Sequence, residues 1–147
     1  MENLIILDVD GNTKEDVIKC LAQELSYKGK LNDLNEYIES VKNREKEYTT
    51  GFGNGIAIPH GKSNAVKESC FVFGKLKNKV NWNSLDKKPV DLVFLLAIPT
   101  SEEGSTHIRL LSKIAVALME EDFVSALRNA NTIETINDVI KTITIGE

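Results

Sequence analysis

The 147-residue chain holds two histidines, and both stand at a boundary between apolar and polar residues: His60 after Ile56-Ala57-Ile58-Pro59, and His107 after Ser105-Thr106. Neutral imidazole is a competent nucleophile near neutral pH, and its neighbours readily tune its pKa. His60 has the more suggestive setting, because it follows Thr49-Thr50-Gly51-Phe52-Gly53-Asn54-Gly55, with three glycines in five residues. Such glycines let the main chain come close to another group, and Pro59 stiffens the step into the histidine as a residue suited to a strand end. A phosphoryl acceptor also needs positive charge and amide donors aimed at the phosphoryl oxygens. The candidates are the glycine-loop amides, the N-terminus of a helix predicted near His107, and Arg44 with Lys62. From the residues alone, His60 is a candidate nucleophile for a phosphoryl group, with a hydrogen-bonded structural histidine as the open alternative.

Other chemistries fit less well. Two histidines 47 positions apart, without clustered carboxylates or cysteines, do not make a metal site. The glycine stretch lacks the Lys-Ser/Thr end of a nucleotide-binding loop, and no Gly-x-Ser-x-Gly elbow marks a serine hydrolase. Leu7-Asp8-Val9-Asp10-Gly11-Asn12 resembles the start of haloacid-dehalogenase-type phosphatases, but the later lysine and acidic residues of those enzymes are not evident. As an EF-hand loop the same segment has Thr13 at the glycine position and Lys19 at the final glutamate. Cys20 and Cys70 fit no zinc or redox spacing and are expected to be reduced core thiols.

These residues must be positioned by a chain whose length suits a single domain, 1–147. With 41% hydrophobic and 27% charged residues, the composition is that of an ordinary soluble globular protein. A net charge of -4 argues against nucleic acid as the main partner. No apolar window is long enough for direct membrane insertion, and the N-terminus lacks a secretory pattern, so a cytoplasmic location is expected.

Leu4 to Leu7 predicts a first strand, and Asn12 or Thr13 a helix cap, with Asp16 completing a box-like arrangement. Val17, Cys20, Leu21 and Leu25 give that helix one buried stripe, and Gly29 ends it. A second helix is predicted from Asn32 into the charged stretch Lys42 to Glu47. Ile56 to Ile58 suits a buried strand, Gly61 to Asn64 a turn, and Ser69 to Leu76 a strand. Lys75, Lys77 and Lys79 read as a solvated hairpin end, Val80-Asn81-Trp82 as a further extended segment, and Trp82 as a packing anchor. Val90 to Ile98 suits a central strand buried on both faces. Ser105 or Thr106 is placed to cap a helix carrying His107 in its first turn, and two shorter helices, Asp122 to Asn129 and Thr132 to Ile143, complete the chain. The expected fold is α+β, a three-layer α/β/α sandwich with a mixed β-sheet in the order β-α2-β3-α3.

Glu45, six further positions, Phe52-Gly53, two positions, then Ile56-Ala57-Ile58-Pro59-His60-Gly61 resembles the active-site signature of the fructose/mannitol (type-2) enzyme IIA domains of the bacterial phosphoenolpyruvate-dependent sugar phosphotransferase system. The likeness extends to Val80-Asn81-Trp82-Asn83-Ser84-Leu85-Asp86, to Pro89-Val90 leading into Phe94 to Pro99, and to His107 before Leu110-Leu111-Ser112. It implies that His60 accepts phosphate from the phosphocarrier HPr and passes it to enzyme IIB, with the membrane enzyme IIC reached only indirectly. By the same resemblance His107 supports the phosphoryl group or orients His60, and Arg44 approaches the phosphoryl oxygens. The transfer implied is in-line, with no metal and no cofactor. Fructose is the commonest assignment for such sequences. Nitrogen-type homologues use the same histidine to regulate target proteins, which is the alternative function.

Overall fold

The computed structural model describes residues 4–101 and 104–144, with side chains described for all of these except 104–108 and 144. The chain opens with strand β1 (Leu4–Val9) and two helices, α1 (Lys14–Tyr27) and α2 (Leu34–Glu47). Thr13 caps α1 by accepting from the Asp16 amide at 3.1 Å, while the Asp16 carboxylate reaches back to the Asn12 amide at 3.2 Å. This exchange satisfies one donor that the helix start leaves open and one in the loop just before the cap. Asp33 does the same for α2 through the Glu36 amide, so α2 begins two residues after Asn32.

Five strands follow: β2 (Gly51–Gly53), β3 (Ile56–Ala57), β4 (His60–Ser63), β5 (Cys70–Val80) and β6 (Val90–Pro99). Helices α3 (Gly104–Leu118), α4 (Glu121–Asn129) and α5 (Ile133–Thr144) close the chain. The observed order therefore has five strands where three were expected. The first addition is β2, which pairs antiparallel with β3 across Asn54-Gly55. Both turn residues have positive φ, 56° and 81°, the requirement of a tight two-residue hairpin that Asn-Gly meets. The second is β4, where a turn was expected: His60, Gly61, Lys62 and Ser63 pair parallel with Leu96, Ala97, Ile98 and Pro99. Val80 likewise ends β5 and begins no new strand. Helix α3 begins at Gly104, ahead of either expected cap.

The mixed sheet runs β1-β5-β6-β3-β2, with β4 also on β6. β3 and β4 thus occupy the same edge of β6 in succession, parted by Ile58 and Pro59. Side chains alternate along a strand, and β6 shows the consequence. Val93, Leu95 and Ala97 join a core cluster with Leu21, Leu25, Tyr37 and Val41 of α1 and α2. Leu92, Phe94, Leu96 and Ile98 join a second cluster with Ile114, Leu127, Ile136 and Ile140 of α3, α4 and α5. Phe73 and Phe94 are register partners across β5 and β6 with ring centroids 4.8 Å apart.

Lys75 departs from the solvated end expected of it. Its ammonium donates to the carbonyls of Leu127, Arg128 and Ala130 at 3.2, 2.7 and 2.8 Å. It thereby closes the C-terminal end of α4, where carbonyls lack helical partners and a cation is favoured.

Candidate active site

His60 is the first residue of β4 and half-buried. Its Nδ1 lies 2.9 Å from the carbonyl oxygen of Ile58. A carbonyl can only accept, so Nδ1 carries the proton and Nε2 is the nitrogen with the lone pair in the neutral ring. The support beneath this bond is main-chain. Ile58 donates its amide to Thr50 O at 3.0 Å, and Leu96 donates to Pro59 O at 3.0 Å. The buried Tyr37 hydroxyl in turn donates to Leu96 O at 2.7 Å, and burial raises that phenol's pKa well above its usual value.

Strand alternation decides which way His60 faces. Paired residues on neighbouring strands share a face, so His60 and Lys62 fall on the side of Leu96 and Ile98, the side packed by α3, α4 and α5. Gly61 falls on the α2 side. A Cβ at Gly61 would stand 2.3 Å from Ser40 Oγ and 2.8 Å from Val41 Cγ2, so only glycine lets α2 approach this closely. Lys62 is exposed.

Arg44 lies in the last turn of α2, the helix that packs behind Gly61, and its Nη1 donates to Tyr48 O at 2.7 Å. His107 falls in the first turn of α3, which packs on the His60 side of the sheet. Its side chain lies outside the described residues.

The glycine stretch is held by two sets of bonds that the sequence reading missed. At its start, the Glu45 carboxylate, with a side chain 6% exposed, accepts from the Thr50 amide at 3.3 Å, the Thr50 hydroxyl, the Trp82 indole at 3.3 Å and the Lys14 ammonium at 3.4 Å. Trp82 is fully buried, as a packing anchor should be. At the hairpin turn, Arg128 Nη1 donates to both Asp91 carboxylate oxygens at 2.6 Å while Nη2 donates to Asn54 O. A Cβ on Gly55 would meet this pair at 2.8 and 2.9 Å. Asp86 accepts from the Asn54 amide at 2.9 Å, and the Asn54 and Lys88 amides lower its pKa. Two signals were available: Glu45 occupies the acidic position of the signature, and Asn54-Gly55 is a hairpin dipeptide.

Among the described residues no three His, Cys, Asp or Glu side chains gather in a group able to hold a metal, and no helix is long and apolar enough to cross a membrane.

Residues 1–143 match the family model described as "Phosphoenolpyruvate-dependent sugar phosphotransferase system, EIIA 2". The chain is 38% identical over 139 residues to the PTS system fructose-specific EIIABC component of Bacillus subtilis, covering 95% of this chain but only 22% of that much longer relative. It is 33% identical over 137 residues to the PTS system fructose-specific EIIA component of Haloferax volcanii, covering 93% of this chain and 88% of the relative. Among solved structures it resembles the nitrogen regulatory protein IIA-Ntr of Neisseria meningitidis, with a TM-score of 0.85, 28% identity and 92% of each chain covered. The signature histidine opens a strand beside the glycine hairpin, and the family model spans residues 1–143: the chain belongs to the type-2 (fructose/mannitol) EIIA family of the phosphoenolpyruvate-dependent sugar phosphotransferase system.

Proposed function

We propose that this chain is a histidine phosphocarrier that accepts a phosphoryl group from phospho-HPr on Nε2 of His60 and passes it to enzyme IIB of a sugar transporter of fructose type. The observation that carries this reading is the Nδ1 to Ile58 hydrogen bond at 2.9 Å. It presents Nε2 as the nucleophile without any proton having to be removed first. In the transfer, Nε2 forms a bond to phosphorus in line with the breaking nitrogen–phosphorus bond of the donor, whose imidazole leaves with the electron pair. The His60 ring gains positive character, and the Ile58 carbonyl stabilises it through a strengthened Nδ1–H bond. The second transfer reverses these steps toward enzyme IIB. Arg44 and His107 are assigned to the phosphoryl oxygens, supported by their helices packing on opposite faces of the sheet that carries β4, and the glycine-hairpin amides are further donors.

The family match over 1–143 supports reading 1–147 as one EIIA domain, and the two core clusters support a three-layer arrangement. Partners and sugar are carried from relatives. The fructose-specific names of two relatives favour that sugar, and the name EIIABC places EIIA with EIIB and EIIC in the Bacillus protein.

The test is incubation with phosphoenolpyruvate, enzyme I and HPr, followed by intact mass. One acid-labile phosphate that disappears in His60→Ala supports the proposal, and a phosphate unaffected by that change overturns it. The TM-score of 0.85 to a nitrogen regulatory protein favours a second reading, a phosphorylation-dependent regulator. Transfer of the label to a purified fructose-type enzyme IIB distinguishes them, since a regulator would keep its phosphate.

A further inference from the structure

Glu45 belongs to no step of the transfer above, yet a continuous run of hydrogen bonds joins it to His60. The His60 Nδ1–H donates to Ile58 O at 2.9 Å. The Ile58 amide donates to Thr50 O at 3.0 Å. The Thr50 amide and hydroxyl both donate to the Glu45 carboxylate. Every donor points toward the carboxylate, and each bond orients the residue that makes the next. We infer that Glu45 is a positioning residue for His60, setting the tautomer and aim of the imidazole through Thr50 and Ile58.

Ile58 needs this support because of where it falls. The β6 ladder holds Ala57 on one side and His60 on the other, and Ile58 lies in the gap between them. Its amide turns instead to Thr50, so the position of Thr50 governs the Ile58 segment whose carbonyl holds the imidazole. Thr50 is itself 8% exposed and has its amide and hydroxyl committed to Glu45, with the Trp82 indole donating to the hydroxyl oxygen at 3.1 Å. A carboxylate suits this place because four donors converge on its two oxygens: the Thr50 amide, the Thr50 hydroxyl, Trp82 Nε1 and Lys14 Nζ. An uncharged amide of the same shape has one acceptor oxygen and would turn donors of its own toward them. Burial makes that mismatch expensive, since unpaired polar groups away from water are costly.

The inference deepens the phosphocarrier reading and rests on it for the rate, but the tautomer is measured without any phosphoryl donor. Two variants are compared, Glu45→Gln and Thr50→Val, using protein labelled with nitrogen-15 at histidine. Long-range proton–nitrogen spectra with the imidazole neutral should show His60 as the Nδ1–H tautomer in the unaltered chain and as a mixture in both variants. Phosphorylation by phospho-HPr should slow about tenfold in kcat, with KM within about twofold, as misaligned reacting groups do without loss of binding. Unaltered His60 nitrogen shifts in either folded variant would overturn the inference, whatever happens to its melting temperature. A tautomer change in the variants together with no phosphate on the unaltered chain defeats the phosphocarrier reading and leaves Glu45 as the residue that orients His60.

Discussion

The imidazole of His60 bonds to the carbonyl of Ile58, two residues back in its own chain, at 2.9 Å. Pro59 stands between them and its carbonyl receives Leu96 N, so the dipeptide step is held on both sides of the ring. Replacing Pro59 by Ala frees φ there and adds a main-chain donor. The expected outcome is a folded protein in which His60 phosphorylation slows several-fold, read as kcat with phospho-HPr. A rate equal to that of the unaltered chain would show that the fixed φ of Pro59 is not needed to set the ring.

Gly61 packs against α2 so closely that a methyl group has no room. Gly61→Ala should destabilise the fold by roughly 1–3 kcal/mol, the usual cost of overpacking. Adding Ser40→Ala removes the nearest atom, Ser40 Oγ, without putting a glycine inside α2, and should recover part of the loss, leaving the Val41 contact. Denaturant midpoints of the single and double variants measure both effects.

Lys75 and α4 should depend on one another. Lys75→Met leaves three carbonyls without their ammonium and should cost roughly 2 kcal/mol, in the range for hydrogen bonds from a charged donor. Thermal unfolding gives the loss, and amide exchange should place it in α4.

The ion pair between Arg128 and Asp91 ties α4 to the glycine hairpin, but both side chains keep about a quarter to a third of their exposure. Solvent screening limits such a pair, so a double-mutant cycle of Arg128→Gln and Asp91→Asn should give a coupling of about 1 kcal/mol. A coupling near zero would leave the hairpin turn to Asp86 and its own dihedral preferences.

Acid should loosen the same turn through Asp86. Its pKa is lowered, first by the Asn54 amide and then by that of Lys88, so the folded chain favours the carboxylate. The resulting stability is present above the ordinary carboxylate pKa and is lost as pH falls through the lower folded value. Protection of the Asn54 amide from exchange, relative to the intrinsic rate at each pH, should fall across that window, and Asp86→Asn should abolish the pH dependence of that protection. The thiols titrate in the opposite sense. Burial pushes Cys70 up to about 12, so its contribution holds below the ordinary thiol pKa and is lost as pH rises toward that value. Burial first, and then Asp10 and Glu24, raise Cys20 as well. At pH 8, iodoacetamide should leave Cys70 unmodified until the chain unfolds, as followed by mass.

The elements with local causes were legible from the residues alone. Thr13 and Asp16 announced the start of α1, the apolar run at Val90 announced β6, and Ile56-Ala57-Ile58-Pro59-His60 announced an apolar mount for a histidine. Each of these depends on neighbours within a few positions: caps, side-chain periodicity and the fixed φ of proline. Asn54-Gly55 was equally local, and the hairpin it makes was simply not read. The family signature added Arg44 and His107 as companions, roles that remain proposals.

What no local pattern carried is the set of contacts that hold the site. Glu45 meets Lys14 and Trp82 from 31 and 37 positions away, Arg128 meets Asp91 from 37, and Lys75 reaches carbonyls more than 50 positions on. Strand β4 was read as a turn because His60 to Ser63 is too short and too polar to announce itself, and only the open edge of β6 beyond Ala57 makes it a strand. Sequence alone thus determined the family signature, the histidine it singles out as the candidate, and which segments are helical. Tertiary packing decided which face of the sheet that residue takes, which nitrogen it presents, and which buried carboxylate stands behind it. Those outcomes depend on the pairing of strands and on burial, which exist only once distant segments meet.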